Sequence, residues 1–307
     1  TATLKGKESP VTFDAKLTKW KGKKVKMTNE TEALTIKKNL ENVSYSVSKI
    51  VQQEKQRHPF SPFITSRLQQ EAYRKLSFPA QKTMRIAQNL YEGVDLGKIG
   101  TVGLITYMRT DSVRVSFDAI QQVRSWIKGR FGESYLPSKP NVYKSRKGAQ
   151  EAHEAIRPTS IDLEPEKVKE YLDKDHWALY KLVWDRFVAS QMASAIFLQT
   201  LVEIKADDAI FTAIGTSPIF QGFMALYVEG EDNSARPGED GEEEKTLPVL
   251  SEGEVLELLA LTPRQHFTQP PYRFSEATLI RELEEKGIGR PSTYATILST
   301  IKEKGYV

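Results

Sequence analysis

Hydrophobic and polar positions alternate at the start of the chain and then change to helical spacing. Residues 1–28 alternate apolar and basic side chains, the pattern of strands on a half-exposed sheet. Further alternating stretches predict strands at 45–55, 196–206, 209–215 and 255–262. Apolar residues at helical spacing predict helices at 31–40, 65–76, 79–91, 117–131, 165–192 and within 275–307. Strands therefore precede and follow a block of helices, which indicates a β-rich domain interrupted by a helical insertion.

Two helical segments of the chain have a similar plan. With an offset of 212 residues, Pro79 falls on Pro291 and Gly93 on Gly305. Both segments read as a helix, a short turn and a second helix that opens at the proline and stops at the glycine. This is the plan of a winged helix-turn-helix, whose second helix usually meets nucleic acid. Identity between the two is sparse, so a true repeat and two unrelated helical hairpins both remain open.

Composition excludes several classes of protein. The 307 residues suffice for two domains, and no apolar stretch approaches the roughly 18 residues of a membrane span. The chain has no cysteine, which excludes disulfides, thiolate metal sites and a cysteine nucleophile. These features fit a cytoplasmic protein.

The charge is unevenly distributed. Residues 229–245 have a net charge of −6 and low hydrophobicity, which predicts an acidic flexible loop. The whole chain is at +4, so the remainder carries +10, and residues 1–60 alone carry +7. A basic body with one separate acidic loop suits a polyanionic partner. A solvated, lysine-rich surface would have the same composition.

The stretch GLITYMRTDS (103–112) places a polar cluster at the end of an apolar run. On a strand, Tyr107 and Arg109 would point the same way, because side chains two apart share a face. A guanidinium there could favour the phenolate and grip a phosphate, and Thr110, Asp111 and Ser112 could brace the turn. Tyrosine attack on a phosphodiester would conserve the bond as a phosphotyrosine. The plainer interpretation is a packed tyrosine beside an exposed arginine.

Two further stretches have polar clusters. In QEAHEAIRPTS, His153 and Arg157 would share one face of a helical turn and could contact a phosphate. A histidine that only hydrogen-bonds locally is the alternative. In EEKGIGRPSTYA, Arg290, Ser292 and Thr293 lie where a second helix begins, a ready phosphate site. Simple capping by Ser292 would also explain that motif.

Together these motifs resemble bacterial DNA topoisomerase I, the type IA family. GLITYMRTDS is similar to the family's active-site tyrosine motif, and QEAHEAIRPT and PPYRFSEATLIRELEEKGIGRPSTYATILSTIKEKGYV are similar to two further signatures in the expected order. PFITSRLQQEA resembles the helix that opens the tyrosine-bearing domain. The resemblance runs from about residue 45 to the end of the chain, and it is looser over the first forty residues. Reverse gyrase shares the same core motifs.

The resemblance implies a mechanism and an architecture. Tyr107 would attack one DNA strand and become linked to its 5′-phosphate, with Arg109 positioning that phosphate. His153 would contact DNA near the cleavage point, and Arg290, Ser292 and Thr293 would hold a nucleotide upstream. The implied fold is mixed α/β and multidomain, a β-rich arch interrupted by a winged-helix-like tyrosine domain. Its predicted parts are the arch (1–62 and 194–268), the tyrosine domain (63–193) and a partial winged-helix-like base domain (269–307).

One departure from the family bears on activity. Family members carry an N-terminal Toprim domain with an acidic Mg²⁺ cluster, and no D-x-D-x-E pattern precedes the arch here. We therefore expect a fragment whose nucleophile is present, whose Mg²⁺ site belongs to the missing Toprim domain, and which is inactive alone. The expected partners are single-stranded DNA and the Toprim domain, with no membrane, no bound metal and a monomeric, nucleoid-associated chain.

Two other hypotheses stay open beside the topoisomerase. A non-catalytic single-stranded nucleic-acid-binding scaffold would use the same winged-helix pieces, with Tyr107 structural. A tyrosine recombinase would gather several Arg and His side chains around a tyrosine on a C-terminal helix, and the position of Tyr107 in mid-chain argues against it. A covalent adduct that depends on Tyr107 would separate the topoisomerase from the scaffold.

Overall fold

The computed structural model describes residues 1–7, 10–145, 153–230 and 246–306, and these residues divide into two units. Unit one contains Thr1–Arg57, Ile196–Phe220 and residues 246–271. Unit two contains His58–Ala195 and residues 221–230 and 272–306. Most of the predicted acidic loop, residues 231–245, lies outside the described residues.

The described residues form a mixed α/β structure, as the alternation of patterns predicted. The strands are β1 Ala2–Gly6, β2 Thr12–Trp20, β3 Lys23–Lys24, β4 Tyr45–Arg57, β5 Val94–Asp95, β6 Thr101–Val102, β7 Ala195–Ala206, β8 Ala209–Phe220 and β9 Val255–Leu261. The α-helices are α1 Glu30–Leu40, α2 Thr65–Leu76, α3 Ala80–Glu92, α4 Phe117–Phe131, α5 Pro165–Val168, α6 Lys174–Ser190, α7 Glu276–Glu285 and α8 Tyr294–Glu303. None of the helices in the described ranges combines the length and the apolar character needed to cross a bilayer.

Unit one is built on a seven-stranded sheet with the strand order β1-β9-β4-β7-β8-β2-β3. Because β1 also pairs with β2, six of these strands close into a ring. The long hairpin of β7 and β8 turns at Asp207, whose φ of +52° is a left-handed conformation that Asp tolerates. Closing the sheet reduces the unpaired edges that could recruit another chain.

Helix α1 and the inner side chains of the sheet make the core of unit one. Asn29 caps α1 by accepting a hydrogen bond from the amide of Glu32 at 2.9 Å. Leu40, at the other end of α1, is buried, and its carbonyl accepts a hydrogen bond from the Tyr45 hydroxyl at 3.0 Å. The Tyr45 ring lies 5.5 Å from that of Phe211, and burial raises the pKa of Tyr45 to about 12. These contacts join α1 to β4 and, through Tyr45, to β8, which lies far away in the sequence.

Unit two contains two helical hairpins that pack against each other. Helix α2 packs against α3, α6 and α7, while α3 packs against α6 and α8. The carboxylate of Glu276, at the start of α7, accepts a hydrogen bond from the amide of Ala80 at the start of α3 (2.8 Å) and pairs with Lys302. Both segments of the suggested repeat are therefore helical hairpins; their common origin stays a hypothesis.

A buried group of charged and aromatic side chains joins four segments of unit two. The side chain of Arg186, a residue of α6 that is only 3% exposed, donates to the carbonyl of Ser61 at 2.6 Å and to the Tyr227 hydroxyl at 3.1 Å. It also pairs with Glu229. The Tyr227 hydroxyl donates to the carboxylate of Glu71 on α2 at 2.9 Å. Burial raises the pKa of Tyr227 and, against the pull of Arg186, that of Glu229.

Two predicted elements are wrong. Residues 103–109 do not form a strand: their pairing stops at a single bridge between Ile105 and Pro158, because the amide of Arg157 donates to the Thr106 hydroxyl and does not extend the ladder. The helix predicted over 165–192 is broken into α5 and α6. Asp173 ends the break by capping α6, accepting from the amide of His176 at 2.9 Å.

Two local geometries also differ from the prediction. Residues 153–157 are not helical, because Ile156 pairs with Phe63 and the residue before Pro158 is driven to an extended conformation. His153 and Arg157 therefore do not share a helical face. Helix α8 begins at Tyr294 and not at Pro291, which lies in the preceding turn.

Candidate active site

Tyr107 lies in an irregular segment of unit two between β6 and α4. Its side chain is 41% exposed, whereas Met108 and Thr110 are 0% and 1% exposed. Arg109 is exposed as well. Burial therefore alternates along residues 107–110 as it would on a strand, although no strand forms. The phenol of Tyr107 and the guanidinium of Arg109 lie outside the core.

A second extended segment, residues 155–159, holds the chain before Tyr107. The amide of Thr106 donates to the carbonyl of Arg157 at 2.9 Å, and the amide of Thr159 donates to the carbonyl of Leu104 at 3.0 Å. The Thr106 hydroxyl donates to the carbonyl of Ala155 at 2.7 Å and accepts from the amide of Arg157 at 3.0 Å. Backbone and side chain together fix the residue that precedes the phenol.

The first turn of α2 holds the chain after Tyr107. The hydroxyl of Thr65 donates to the carbonyl of Met108 at 2.7 Å and accepts from the amide of Thr110 at 2.8 Å. The amide of Thr65 donates to the carbonyl of Thr110 at 2.9 Å. Thr65 is fully buried, so these bonds are shielded from water and hold the backbone on both sides of Arg109.

The three short polar residues after Arg109 differ in exposure. Thr110 and Ser112 are buried and brace the backbone: the Thr110 hydroxyl accepts from the amide of Ser112 at 3.0 Å, and the Ser112 hydroxyl from the amide of Arg114 at 3.2 Å. Asp111 is partly buried. Such buried hydroxyls can shape the turn, but they present no surface to a ligand.

Tyr107 lines a cleft of about 580 Å³. The His153 ring lies edge-on to the phenol with 5.8 Å between centroids, and the Tyr91 ring lies similarly at 5.4 Å on another side. Gly103 belongs to the wall, where a Cβ atom would come within 2.6 Å of the carbonyl oxygen of Tyr91. The remaining lining residues are Ile105, Thr106, Glu154 and Thr159.

The two arginines of the predicted site have different surroundings. Arg157 pairs with Glu154 through two nitrogens, at 2.9 and 2.6 Å, and its side chain is only 13% exposed. Arg109 is exposed, and within the described ranges no hydrogen bond or ion pair engages its guanidinium. Arg109 is therefore the cation that can reach an incoming phosphate without giving up a protein partner.

Arg290, Ser292 and Thr293 lie in the turn that joins α7 to α8. Gly287 and Gly289 have φ values of +69° and +82°, which glycine adopts without strain. The Arg290 side chain donates to the carbonyl of Gly289 at 2.7 Å, and its amide donates to the Thr293 hydroxyl at 2.8 Å. Thr293, and not Ser292, occupies the N-cap position of α8, and its side chain makes no capping hydrogen bond to the helix. The predicted capping by Ser292 is therefore not observed. All three residues are exposed.

Sequence reasoning overlooked the residues that hold the Tyr107 segment. Thr65 and Thr106 act through hydrogen bonds to residues 43 to 51 positions away, for which the local sequence carries no signal. Tyr91 falls in a helical pattern and was assigned no chemistry. Glu154 follows His153 directly, so its pairing with Arg157 three residues on was open to prediction.

In the described part of the chain, no three His, Cys, Asp or Glu side chains lie together in a way that could hold a metal ion. The acidic residue that lines the Tyr107 cleft, Glu154, is engaged by Arg157.

Comparisons with known proteins agree with one another. A family profile described as DNA topoisomerase matches residues 2–307. DNA topoisomerase 1 of Rickettsia bellii and that of Xylella fastidiosa are each 48% identical to the chain over 301 and 303 residues, 96% of this chain and 37% of each relative. A full-length topoisomerase I structure from Thermotoga maritima superimposes with a TM-score of 0.77 at 34% identity, over 99% of this chain and 46% of that one.

Proposed function

The chain belongs to the bacterial DNA topoisomerase I family, type IA, and on that premise we propose that Tyr107 is the nucleophile that cleaves one DNA strand. The chain spans 37% of the length of the relatives named above, so strand passage and relaxation of negative supercoils are proposed for the whole protein. Residues 1–307 contribute the tyrosine and its surroundings, and by themselves are inactive in relaxation.

The exposure of the Tyr107 phenol is the observation that carries this proposal. Tyr143 and Tyr180, also in unit two, donate their hydroxyl protons to carbonyls, and burial raises the pKa of both. Tyr107 instead opens onto a cleft, with no hydrogen bond to its hydroxyl among the described residues. A phenol that is free of such bonds and reachable from solvent can approach a phosphorus atom in line.

The reaction is an exchange of phosphoesters. The Tyr107 oxygen forms a bond to phosphorus while the bond from phosphorus to the 3′ oxygen breaks, so the number of phosphoester bonds is unchanged. The phenol loses a proton and the leaving 3′ oxygen gains one. Attack by that 3′ hydroxyl on the phosphotyrosine reverses the step and reseals the strand after the other strand has passed.

The other predicted residues take supporting roles. Arg109 grips the scissile phosphate, for which its exposed guanidinium is free. His153, which packs against Tyr107, contacts the DNA beside it. Arg157, whose side chain is held by Glu154, positions Thr106 through its backbone. Thr110, Asp111 and Ser112 brace the turn after Arg109. Arg290, Ser292 and Thr293 bind a nucleotide upstream of the break, in a turn that is open to solvent.

The architecture we propose follows the family plan. Residues 1–62 and 194–268 form the arch, 63–193 the tyrosine domain and 269–307 part of a winged-helix-like base. Within the proposed arch, residues 58–62, 194–195 and 221–230 pack in unit two. The family uses Mg²⁺, but the described residues offer no matching ligand set, so we place the ion in a Toprim domain and assign it no step here. The substrate is single-stranded DNA at the cleavage site, and the working protein is a cytoplasmic, nucleoid-associated monomer.

The test is a covalent adduct. The chain is incubated with Mg²⁺, a Toprim-containing N-terminal piece of a type IA relative, and a 5′-blocked, 3′-labelled single-stranded oligonucleotide, then run on a denaturing gel. We expect label to migrate with the protein and this band to vanish in Tyr107→Phe. Tyr91→Phe removes a hydroxyl from the same cleft and should leave the band in place.

Other outcomes would reject the assignment. If the pieces associate and bind the oligonucleotide yet no label shifts, the chain is a nucleic-acid-binding scaffold in which Tyr107 is structural. A band that survives in Tyr107→Phe would mean that a different residue is the nucleophile. The chain without the N-terminal piece, run beside these samples, tests the proposed inactivity of residues 1–307.

A further inference from the structure

A hairpin of unit one concentrates positive charge. Residues 16–26 hold six lysines and no acidic residue, and we call them the lysine hairpin. They span the end of β2, a two-residue turn and β3, where Trp20 pairs with Lys23. Lys21 and Gly22 in the turn have φ values of +48° and +73°, as a type I′ turn requires. The turn fixes the register of both strands.

That register places like charges opposite one another. Lys19 lies directly across from Lys24, and on its other side across from Ile210 of β8, which in turn lies across from Lys205 of β7. Directly paired residues share one face of a sheet, so Lys24, Lys19 and Lys205 form one row, which we call the lysine row. Three strand spacings make the row about 14 Å long. All three lysines are exposed.

A β-bulge turns the row outward. The register of β2 against β8 shifts by one residue between Leu17 and Lys19. Without that shift Lys19 would pair with Ala209, which is fully buried, and would point into the core. With it, Trp20 takes the inner position and Lys19 the outer one. Thr18, at the bulge, is held by a hydrogen bond from its hydroxyl to the carbonyl of Ile210 at 3.1 Å.

The lysine row carries an electrostatic cost that the described protein does not relieve. Like charges directly across a ladder destabilise it. No ion pair within the described residues engages Lys19, Lys24 or Lys205. The nearby acidic groups are Asp207 and Asp208 in the β7–β8 turn and Glu203, two residues from Lys205 on the same face of β7. The carbonyl of Asp208 accepts a hydrogen bond from the amide of Lys21 at 2.9 Å. Three carboxylates against the six lysines of the hairpin and Lys205 leave a net charge of +4.

We propose that the lysine row is a second nucleic-acid contact surface, which binds the phosphate backbone independently of the tyrosine cleft. A linear row of ammonium groups on long stems matches a linear row of phosphates, and each neutralised phosphate releases condensed counterions. The contact reads no sequence, because contacts to phosphates carry no sequence information. It lies in unit one, whereas Tyr107 lies in unit two, so this surface goes beyond the proposed function and does not depend on it.

The salt dependence of binding tests the proposal. Binding of an oligothymidylate is measured at several salt concentrations in a Tyr107→Phe background, where no cleavage occurs. The row variant carries Lys19→Gln, Lys24→Gln and Lys205→Gln. Lysines contribute about 0.7 to 0.9 each to the slope of log K against log salt, so the slope should become shallower by about 2 to 3.

The matched control removes the same charge from other exposed lysines of unit one. It carries Lys7→Gln, Lys38→Gln and Lys49→Gln, and its slope should change by less than about 1. Equal slopes in the two triple variants, or no change in the row variant, would overturn the proposal. Polyglutamate that binds as tightly as the oligonucleotide, with the same dependence on the row, would reassign the surface to an acidic protein.

A second experiment distinguishes failure of this proposal from failure of the tyrosine assignment. The adduct assay is repeated with the row variant in a chain that retains Tyr107. At an oligonucleotide concentration that saturates binding, the row variant should form as much adduct as the unmodified chain. Loss of the adduct at saturation would show that the row acts in cleavage, which contradicts an independent contact surface.

Discussion

At the scale of single residues, the candidate site depends on two hydroxyl groups that bond to the backbone around Tyr107. Thr65 is fully buried and bonds to the backbone on both sides of Arg109. The hydroxyl of Thr106, the residue before Tyr107, donates to the carbonyl of Ala155 and accepts from the amide of Arg157. The phenol is thus held by its own backbone rather than by a bond to its oxygen, which leaves that oxygen available for attack.

Thr65→Val should therefore weaken both folding and cleavage. Valine has the same shape but leaves the amide of Thr110 without its acceptor, at a cost of about 1 to 3 kcal/mol for a buried group. A loosened turn should slow adduct formation by about 10- to 100-fold. Urea unfolding followed by circular dichroism and the labelled-oligonucleotide assay measure the two effects.

Thr65→Ser is the matched control, because it keeps the hydroxyl and loses only a methyl group. It should stay close to the unmodified chain in adduct formation. If serine and valine reduce adduct formation equally, the hydroxyl bonds are not what positions Tyr107, and packing by the methyl group is.

At the scale of elements, the β2–β3 hairpin has a well-defined register, and that register places like charges opposite one another. The turn residues and the bulge specify which side chains face outward, yet the outward pair is Lys19 with Lys24. Local conflicts of this kind are expected where a surface has a function other than stability. We therefore expect a substitution that relieves this repulsion to stabilise the fold and to weaken nucleic-acid binding.

Lys24→Glu should raise stability and lower nucleic-acid affinity. The substitution turns a repulsive cross-strand pair into an attractive one, worth about 0.2 to 1 kcal/mol. Affinity should fall because one phosphate contact is replaced by a repulsion. Thermal unfolding at low salt and oligothymidylate binding provide the two measurements, and Lys38→Glu on α1 is the comparison. A variant that gains stability without losing affinity would contradict a binding role for the row.

At the scale of the whole molecule, unit two is assembled from segments that lie far apart in the chain. The Arg186 side chain bonds to Ser61, Tyr227 and Glu229. The Tyr227 hydroxyl in turn donates a hydrogen bond to Glu71. The guanidinium also lies over the rings of Phe60 and Phe63, at 4.9 and 4.8 Å. Residues 221–230 are thereby held against α2 and α6.

Arg186→Met should destabilise unit two strongly. Methionine keeps much of the apolar stem but leaves Glu229 without its cation and the carbonyl of Ser61 without its donor, a change that typically costs about 3 to 5 kcal/mol in a buried setting. Hydrogen exchange should show faster opening of α2 and α6 and unchanged protection of β7 and β8, which belong to unit one. Lys174→Met, at the exposed start of the same helix, is the control and should have little effect. Uniform loss of protection in both units would show that they unfold as one.

The sequence by itself determined the elements whose signals are local. Periodicity placed the long strands and most helices, because an apolar face repeats every two or every 3.6 residues whatever it packs against. The motif around Tyr107 was likewise legible, since its residue types and their order carry the resemblance to the family. Alternation also predicted that Tyr107 and Arg109 share a face, and both are exposed, whereas Met108 and Thr110 are buried.

Only the tertiary structure decided what depends on contacts between distant segments. Residues 103–109 alternate like a strand but are held by Thr65 and by residues 155–159, and no local pattern encodes those bonds. Pairing with Ile105 and Phe63 drew residues 156–158 out of a helix that spacing alone allowed. The closed ring of unit one, the Arg186 group and the lysine row arise in the same way. Each depends on which strand or helix becomes a neighbour, a choice made by the packing of the whole chain.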